Sequence, residues 1–340
     1  MSYFDTVASV DHALASLPSP DGAAVRAAAT RQAALTKPAG SLGRLEEIAL
    51  FMAGWQGRER PRADRIDITV FAGNHGVAAR GVSAYPAEVT AQMVANFRAG
   101  GAAINALAGA CGANLSVVAL DLDRPTGDIC VEPAMSEAEC LAALNAGAEV
   151  VSPEADLLIV GEMGIGNTTP AAALCLQSLG GADWAGRGTG IDADGLSRKA
   201  QAVEQAVALH APACVSPFET LRRLGGREIA AMAGAILAAR MRRVPVLLDG
   251  FICCAAIAPF AAAVPAITDH CLAAHCSNEA AHARLLNHLR LRPLLSLDMR
   301  LGEASGAAVA AQILRSALAA HNAMATFAEA AVAGIVAEAP

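Results

Sequence analysis

Five short apolar runs, each ending on glycine or polar residues and separated by helix-forming stretches, constrain this chain more than any other feature. Ile66–Ala72 runs into Gly73-Asn-His-Gly76, and Leu115–Leu120 ends at Asp121. Leu157–Val160 ends at Gly161, Val244–Leu248 at Asp249-Gly250, and Leu294–Asp298 leads into Arg300–Gly306. Between them Ala87–Leu107, Glu137–Val150, Ser197–Leu209, Arg227–Met241 and Ala307–Ala320 read as helical. Strands alternating with helices predict parallel βαβ units in a doubly wound α/β sheet. Ligand sites of such sheets lie at the carboxyl ends of the strands, where each of these runs carries its polar or glycine-rich cluster.

The rest of the chain fits this frame. Residues 1–50 read as helical, with a break at Pro38, and Gly57–Arg65 is a charged linker. Of the 340 residues, 54% are hydrophobic and only 17% charged, so a large core is available and disorder is not expected. Aromatics are only 4%, which favours tightly packed helices of small residues. A net charge of −7 argues against a nucleic-acid partner, which needs a basic face. Nine cysteines without a CxxC pair and no secretory leader point to free thiols in a cytoplasmic protein. Phe251–Ile267 comes nearest to a membrane span, but its two prolines and many alanines fit a buried helix and loop.

Gly161-Glu-Met-Gly-Ile-Gly-Asn-Thr-Thr-Pro170 follows an apolar run and precedes a helix-forming one. That order makes an anion cradle: Gly164 and Gly166 let backbone amides approach a phosphate, and Asn167-Thr168 opens a helix with its positive end toward it. A carboxylate, Glu162, stands in the same turn. Further glycine clusters, at Gly186-Arg-Gly188-Thr-Gly190 and Gly225-Gly226, are hard to explain as turns alone. The pattern is neither a Walker A loop nor a dinucleotide fingerprint.

Other polar residues admit two readings each. Glu303, among glycines and apolar residues, is either a desolvated base or a first-turn acid favouring a helix dipole. Asp249 reads more readily as the N-cap of the following helix than as a functional acid. The His270–Cys276 cluster lacks metal-ligand spacing and reads as core or near-site packing. Asp121 and Asp123 read as a polar loop rather than a Mg²⁺ site.

Several segments together resemble one family, the nicotinate-nucleotide–dimethylbenzimidazole phosphoribosyltransferases. They are Lys37–Leu45, Phe71–Val77, Gly81–Pro86 with Glu88–Thr90, Gly161–Pro170, Gly186–Asp192, Gly225–Glu228, Leu248–Phe251 and Leu301–Gly306. The resemblance implies a homodimer with a Rossmann-like parallel sheet over residues 57–305. A small helical domain would be built from both chain ends, 1–56 and 306–340. It implies transfer of the phosphoribosyl group of nicotinate mononucleotide to 5,6-dimethylbenzimidazole, giving α-ribazole 5′-phosphate and nicotinate, with no cofactor and no metal. By motif, Glu303 becomes the general base, and Glu162, Lys199 and Asp249 match other polar active-site positions. Ser83 and Gln92 match the base pocket, and the glycine clusters the phosphoribosyl site.

The residues suit that chemistry. Departure of nicotinate neutralises a pyridinium, so the leaving group needs no metal. The attacking benzimidazole must lose a proton, which one buried carboxylate can take. Two other functions compete: a metal-dependent transferase of phosphoribosyl pyrophosphate that uses Asp121 and Asp123, and a non-catalytic nucleotide-binding protein. Dependence on magnesium separates the first, and product formation the second.

Overall fold

A computed structural model describes residues 3–188 and 190–333, so Thr189 of the second glycine cluster and the end of the 306–340 segment lie outside it. Six strands form one sheet: β1 (Ile66–Ala72), β2 (Asn114–Ala119), β3 (Leu157–Met163), β4 (Val246–Leu248), β5 (Cys271–His275) and β6 (Pro293–Leu295). Their order is β2-β1-β3-β4-β5-β6, with every neighbour parallel. The fold is therefore the expected Rossmann-like α/β sheet.

The helices are α1 (Val7–Ala15), α2 (Gly22–Ala34), α3 (Arg44–Gln56), α4 (Glu88–Ala99), α5 (Ala103–Cys111), α6 (Glu137–Glu149) and α7 (Thr168–Leu179). After them come α8 (Ala193–His210), α9 (Pro217–Leu224), α10 (Arg227–Met241), α11 (Phe251–Ala263), α12 (His282–His288) and α13 (Ser305–Ala323).

Strand residues alternate between two cores, as they must in a sheet covered on both faces. Leu158, Val160, Val246 and Leu248 point to the side of α6, α7, α10 and α11. Ile66, Ile68, Leu157, Ile159 and Leu247 point to the side of α3, α5 and α13. Small residues let the helices come close. A Cβ on Gly147 of α6 would lie 1.8 Å from Ala231 O of α10, and one on Gly234 of α10 would lie 2.0 Å from Leu144 O. Backbone meets backbone there, so a larger residue at either glycine would force α6 and α10 apart.

The structure differs from the sequence expectation in three places. The stretch Ala87–Leu107 is two helices, because α4 stops at Gly100 in the left-handed region with φ +82°. Cys271–His275 is a strand, β5, where the sequence suggested only packing. Asp249 does not cap the helix that follows it. Gly250 holds that position, and Asp249 Oδ1 instead accepts from Ala307 N of α13 at 2.8 Å.

The chain ends also meet. Arg31 of α2 donates to His321 O at 2.8 Å and to Met324 O at 2.9 Å, and Leu35 forms an antiparallel bridge with Thr326. Yet α1 contributes Val10 and Leu14 to the core on the opposite face, and α13 packs on the sheet itself. Among the described residues no helix is long and apolar enough to cross a membrane.

Candidate active site

Chain order reverses between β2-β1 and β3-β4-β5, so a crevice opens at the carboxyl ends of the central strands. Glu162, Gly164, Asn167, Thr168, Gly188 and Glu303 line one cleft there, joined by His275, Ser277, Glu279 and Arg300. A larger cavity of about 670 Å³ lies between α3 and the Leu289–Arg292 turn. That cavity is at the amino ends of β5 and β6, away from these groups, so we place the chemistry in the smaller cleft.

Glu162 is the penultimate residue of β3 and is buried. Asn167 Nδ2, at the start of α7, donates to Glu162 Oε2 at 2.5 Å. Burial pushes the Glu162 carboxyl up to about 8. Asn167 opposes this, while the charges of Glu228, Asp249 and Glu303 add to it. At neutral pH Glu162 therefore holds its proton.

Glu303 precedes α13 on a strained backbone. Glu303 and Ala304 both lie in the left-handed region, at φ +62° and +69°. Such conformations cost a non-glycine residue roughly 1–3 kcal/mol each and persist only where the surroundings fix them. Here β3 does so. A Cβ on Gly161 would stand 2.6 Å from Ala304 N, so only glycine lets this segment lie against the strand. Burial, then the neighbouring Asp249, pushes the Glu303 carboxyl up to about 7. A carboxylate poised there can accept a proton near neutrality.

The glycine loop before α7 is partly occupied by the protein itself. Ile165 N donates to Thr90 Oγ1, Asn167 N to Gly164 O, and Thr169 N to Gly166 O. The amides of Gly166 and Thr168 have no such partner among the described residues, and they stand at the amino end of α7. Gly166 has φ +86°, a conformation that favours glycine. A Cβ on Gly164 would lie 2.8 Å from Gly73 O, because the loops after β1 and β3 touch.

Lys199 of α8 is wholly buried behind this loop. Its Nζ donates to Thr168 Oγ1 at 2.7 Å and to Gly186 O at 2.8 Å. Burial lowers its ammonium to about 8, with Glu279 acting the other way. Lys199 thus ties the second glycine cluster to α7. Gly188 and Gly190 have φ +54° and +115°. Gly188 N donates to Glu279 Oε1 at 3.3 Å, so this amide already has an internal acceptor.

The family model for phosphoribosyltransferases matches residues 17–332. A nicotinate-nucleotide–dimethylbenzimidazole phosphoribosyltransferase of Novosphingobium aromaticivorans is 65% identical over 335 residues, covering 98% of this chain and 99% of that protein. The chain belongs to the nicotinate-nucleotide–dimethylbenzimidazole phosphoribosyltransferase family. A relative of the same name from Jannaschia sp. is 56% identical, over 97% of this chain and 98% of its own. The crystal structure of the enzyme of that name from Thermus thermophilus superposes with a TM-score of 0.86 at 41% identity, covering 92% of this chain and 99% of that one.

For a phosphoribosyltransferase of this family, the structure gathers only part of the sequence-derived set. Glu162, Gly164, Asn167, Thr168, Gly188 and Glu303 share the cleft, while Asp249 lies buried under it. Gly225 and Gly226 do not line the cleft. A Cβ on Gly226 would lie 2.2 Å from the His75 ring, which pairs with Glu228 at 2.6 Å. Ser83 accepts from Tyr85 N, and Gln92 is exposed on α4. This segment adjoins the cleft from outside, because a Cβ on Gly166 would stand 3.7 Å from Val82 Cγ2. Asp121, at the end of the edge strand β2, pairs with Arg124 at 2.8 Å. Among the described residues, no group of three or more His, Cys, Asp or Glu stands together as a metal site would require.

Sequence reasoning missed four cleft residues: His275, Ser277, Glu279 and Arg300. The signal was present for three. Cys271–Ala274 is another apolar run that ends on polar residues, the same rhythm as the five recognised strands. The segment reads as packing instead.

Proposed function

We propose that this chain transfers the phosphoribosyl group of nicotinate mononucleotide to 5,6-dimethylbenzimidazole, releasing nicotinate and α-ribazole 5′-phosphate. The observation that carries it is Glu303, a buried carboxylate that can take a proton near neutral pH. It faces the amino end of α7 across one cleft, in a chain of this family.

The steps follow from the residues. The 5′-phosphate binds at the Gly166 and Thr168 amides, where the dipole of α7 favours an anion. Lys199 holds Thr168 and the Gly186 carbonyl in place. One ring nitrogen of the benzimidazole attacks the anomeric carbon from the face opposite nicotinate, which inverts it from β to α. Glu303 takes the proton from the other ring nitrogen. Nicotinate leaves with the bonding electron pair, and its pyridinium becomes neutral. Glu162, protonated, faces this centre as a hydrogen-bond donor. Ser83 and Gln92 contribute to the base pocket as the flanking segment closes. The cleft encloses about 100 Å³, less than the roughly 300 Å³ at which small-molecule pockets begin, so its loops part to admit both substrates.

We also infer a cytoplasmic homodimer whose small helical lobe is formed by residues 1–56 and 306–340. The Arg31 hydrogen bonds to the chain end support that lobe. The metal-dependent alternative gains nothing from Asp121, whose carboxylate is held by Arg124.

The deciding experiment is turnover of Glu303→Gln with nicotinate mononucleotide and dimethylbenzimidazole, with product identified by mass spectrometry. The variant keeps size and polarity but cannot accept the proton. The expected loss is about 10²–10⁴-fold, the usual worth of general-base catalysis, with nicotinate mononucleotide still bound. Near-normal turnover would move the base elsewhere, Glu162 first.

A further inference from the structure

His275 is the last residue of β5, and nothing in the mechanism above uses it. Its ring fills a notch formed by two glycines. A Cβ on Gly306, in the first turn of α13, would lie 2.2 Å from the imidazole, and one on Gly250 would lie 3.7 Å from it. The imidazole Nε2 stands 3.6 Å from Asp249 Oδ1, beyond a hydrogen bond but within ion-pair contact. Both side chains are buried, and His275 Nδ1 has no hydrogen-bond partner among the described residues. Asp249 Oδ1 in turn accepts from Ala307 N, three residues past the strained Glu303–Ala304 pair.

We propose that His275 is a positioning residue for the transfer reaction, acting through Asp249 on Glu303. Wedged between Gly250 and Gly306, it holds Asp249 against the first turn of α13. It thereby fixes where Glu303 lies and how readily Glu303 takes a proton. The inference rests on Glu303 being the base.

Two effects work together. Sterically, the ring closes the space on the α13 side, while Gly161 closes it on the β3 side, so the left-handed Glu303–Ala304 backbone is held from both. Electrostatically, burial disfavours a charged Asp249, and the His275 imidazole is the first group opposing that, followed by the amides of Ala307, Ala304 and Gly306. After burial, the Asp249 charge is the second cause that raises Glu303 and makes it a stronger base. Other titratable groups also face Asp249. They are Glu162 from β3, Glu303 itself, and the thiols of Cys253 and Cys254 from α11. His282 from α12 lies against His275, with ring centroids 6.1 Å apart. Burial lowers its imidazole to about 3, so it stays neutral.

The test is the pH profile of kcat for His275→Gln, with KM for nicotinate mononucleotide measured alongside. Without the imidazole, Asp249 loses the first group that favours its charged form, so less of its charge acts on Glu303. The acid limb of kcat should move to lower pH by about half a unit or more, and kcat should fall about tenfold, with KM within about twofold. Asp249→Asn should move the limb the same way, and His275→Gln added to it should move it no further. Should His275→Gln not fold, His275→Asn takes its place, with the same shift expected. An unmoved limb, a KM that rises as kcat falls, or additive shifts in the double variant would overturn the inference. Glu303→Gln run in parallel separates the failures. If it retains turnover, the base assignment falls and this inference with it. If it loses turnover while the His275→Gln limb stays in place, only the role of His275 falls.

Discussion

Gly161 and Glu303, far apart in sequence, meet backbone to backbone: a Cβ on Gly161 would lie 2.8 Å from the carbonyl carbon of Glu303. The strand that carries Glu162 therefore also sets the position of the proposed base. The glycine is needed for this crossing, since Gly161 itself lies in a regular strand.

Gly161→Ala should push the Glu303–Ala304 segment off β3. Overpacking of this kind costs about 1–3 kcal/mol, to be read from denaturant unfolding. Turnover should fall by more than about tenfold, since a base displaced by an ångström loses its alignment. Unchanged turnover with unchanged stability would show that the segment relaxes freely.

The pH dependence of kcat should carry an acid limb near 7, where Glu303 loses its proton. Activity is present above that limb and lost below it. Stability should run the other way. The folded state holds the Glu162 proton up to about 8, whereas the unfolded chain releases it near the ordinary 4.5. Between those values the native state binds more protons, so stability falls as pH rises. Unfolding of wild type and Glu162→Gln across pH 5–9 checks this, and the variant should show the flatter curve.

Gly166→Val should weaken nicotinate mononucleotide binding by about tenfold or more while leaving dimethylbenzimidazole nearly unaffected. Valine strains a turn that holds φ +86° and crowds Ala78, whose Cβ would lie 3.3 Å from the new Cβ. Calorimetric titration of each substrate distinguishes this from general misfolding, which would weaken both equally.

Turnover should survive exhaustive EDTA treatment. The leaving nicotinate carries no pyrophosphate charge, and backbone amides at α7 can hold the phosphate. Loss of activity that magnesium restores would revive the reading in which Asp121 and Asp123 bind a metal.

Much of this architecture was written in the order of residues. The strand rhythm from Ile66 to Leu295 follows from burial on both faces, which demands near-continuous apolar runs, and the polar residues that end each run fall where a parallel sheet puts its crevice. The Gly161–Pro170 turn was legible because strand, glycines and helix start are contiguous. Local sequence did not reveal β5, a five-residue strand whose His and Cys resemble other chemistry.

Nor could it separate the two readings of Glu303 or give Asp249 its partner. Residue order alone settled the class of fold, the family and the glycine loop, because each depends on neighbours along the chain. Folding in three dimensions established that Asp249 accepts from Ala307 N in the first turn of α13 rather than capping α11, and that Gly161 carries the Glu303 turn. It also established that His275 stands beside Asp249. Those relations join β3, β4, β5 and α13, and desolvation, which gives a carboxylate its basicity, exists only once these elements have closed around it.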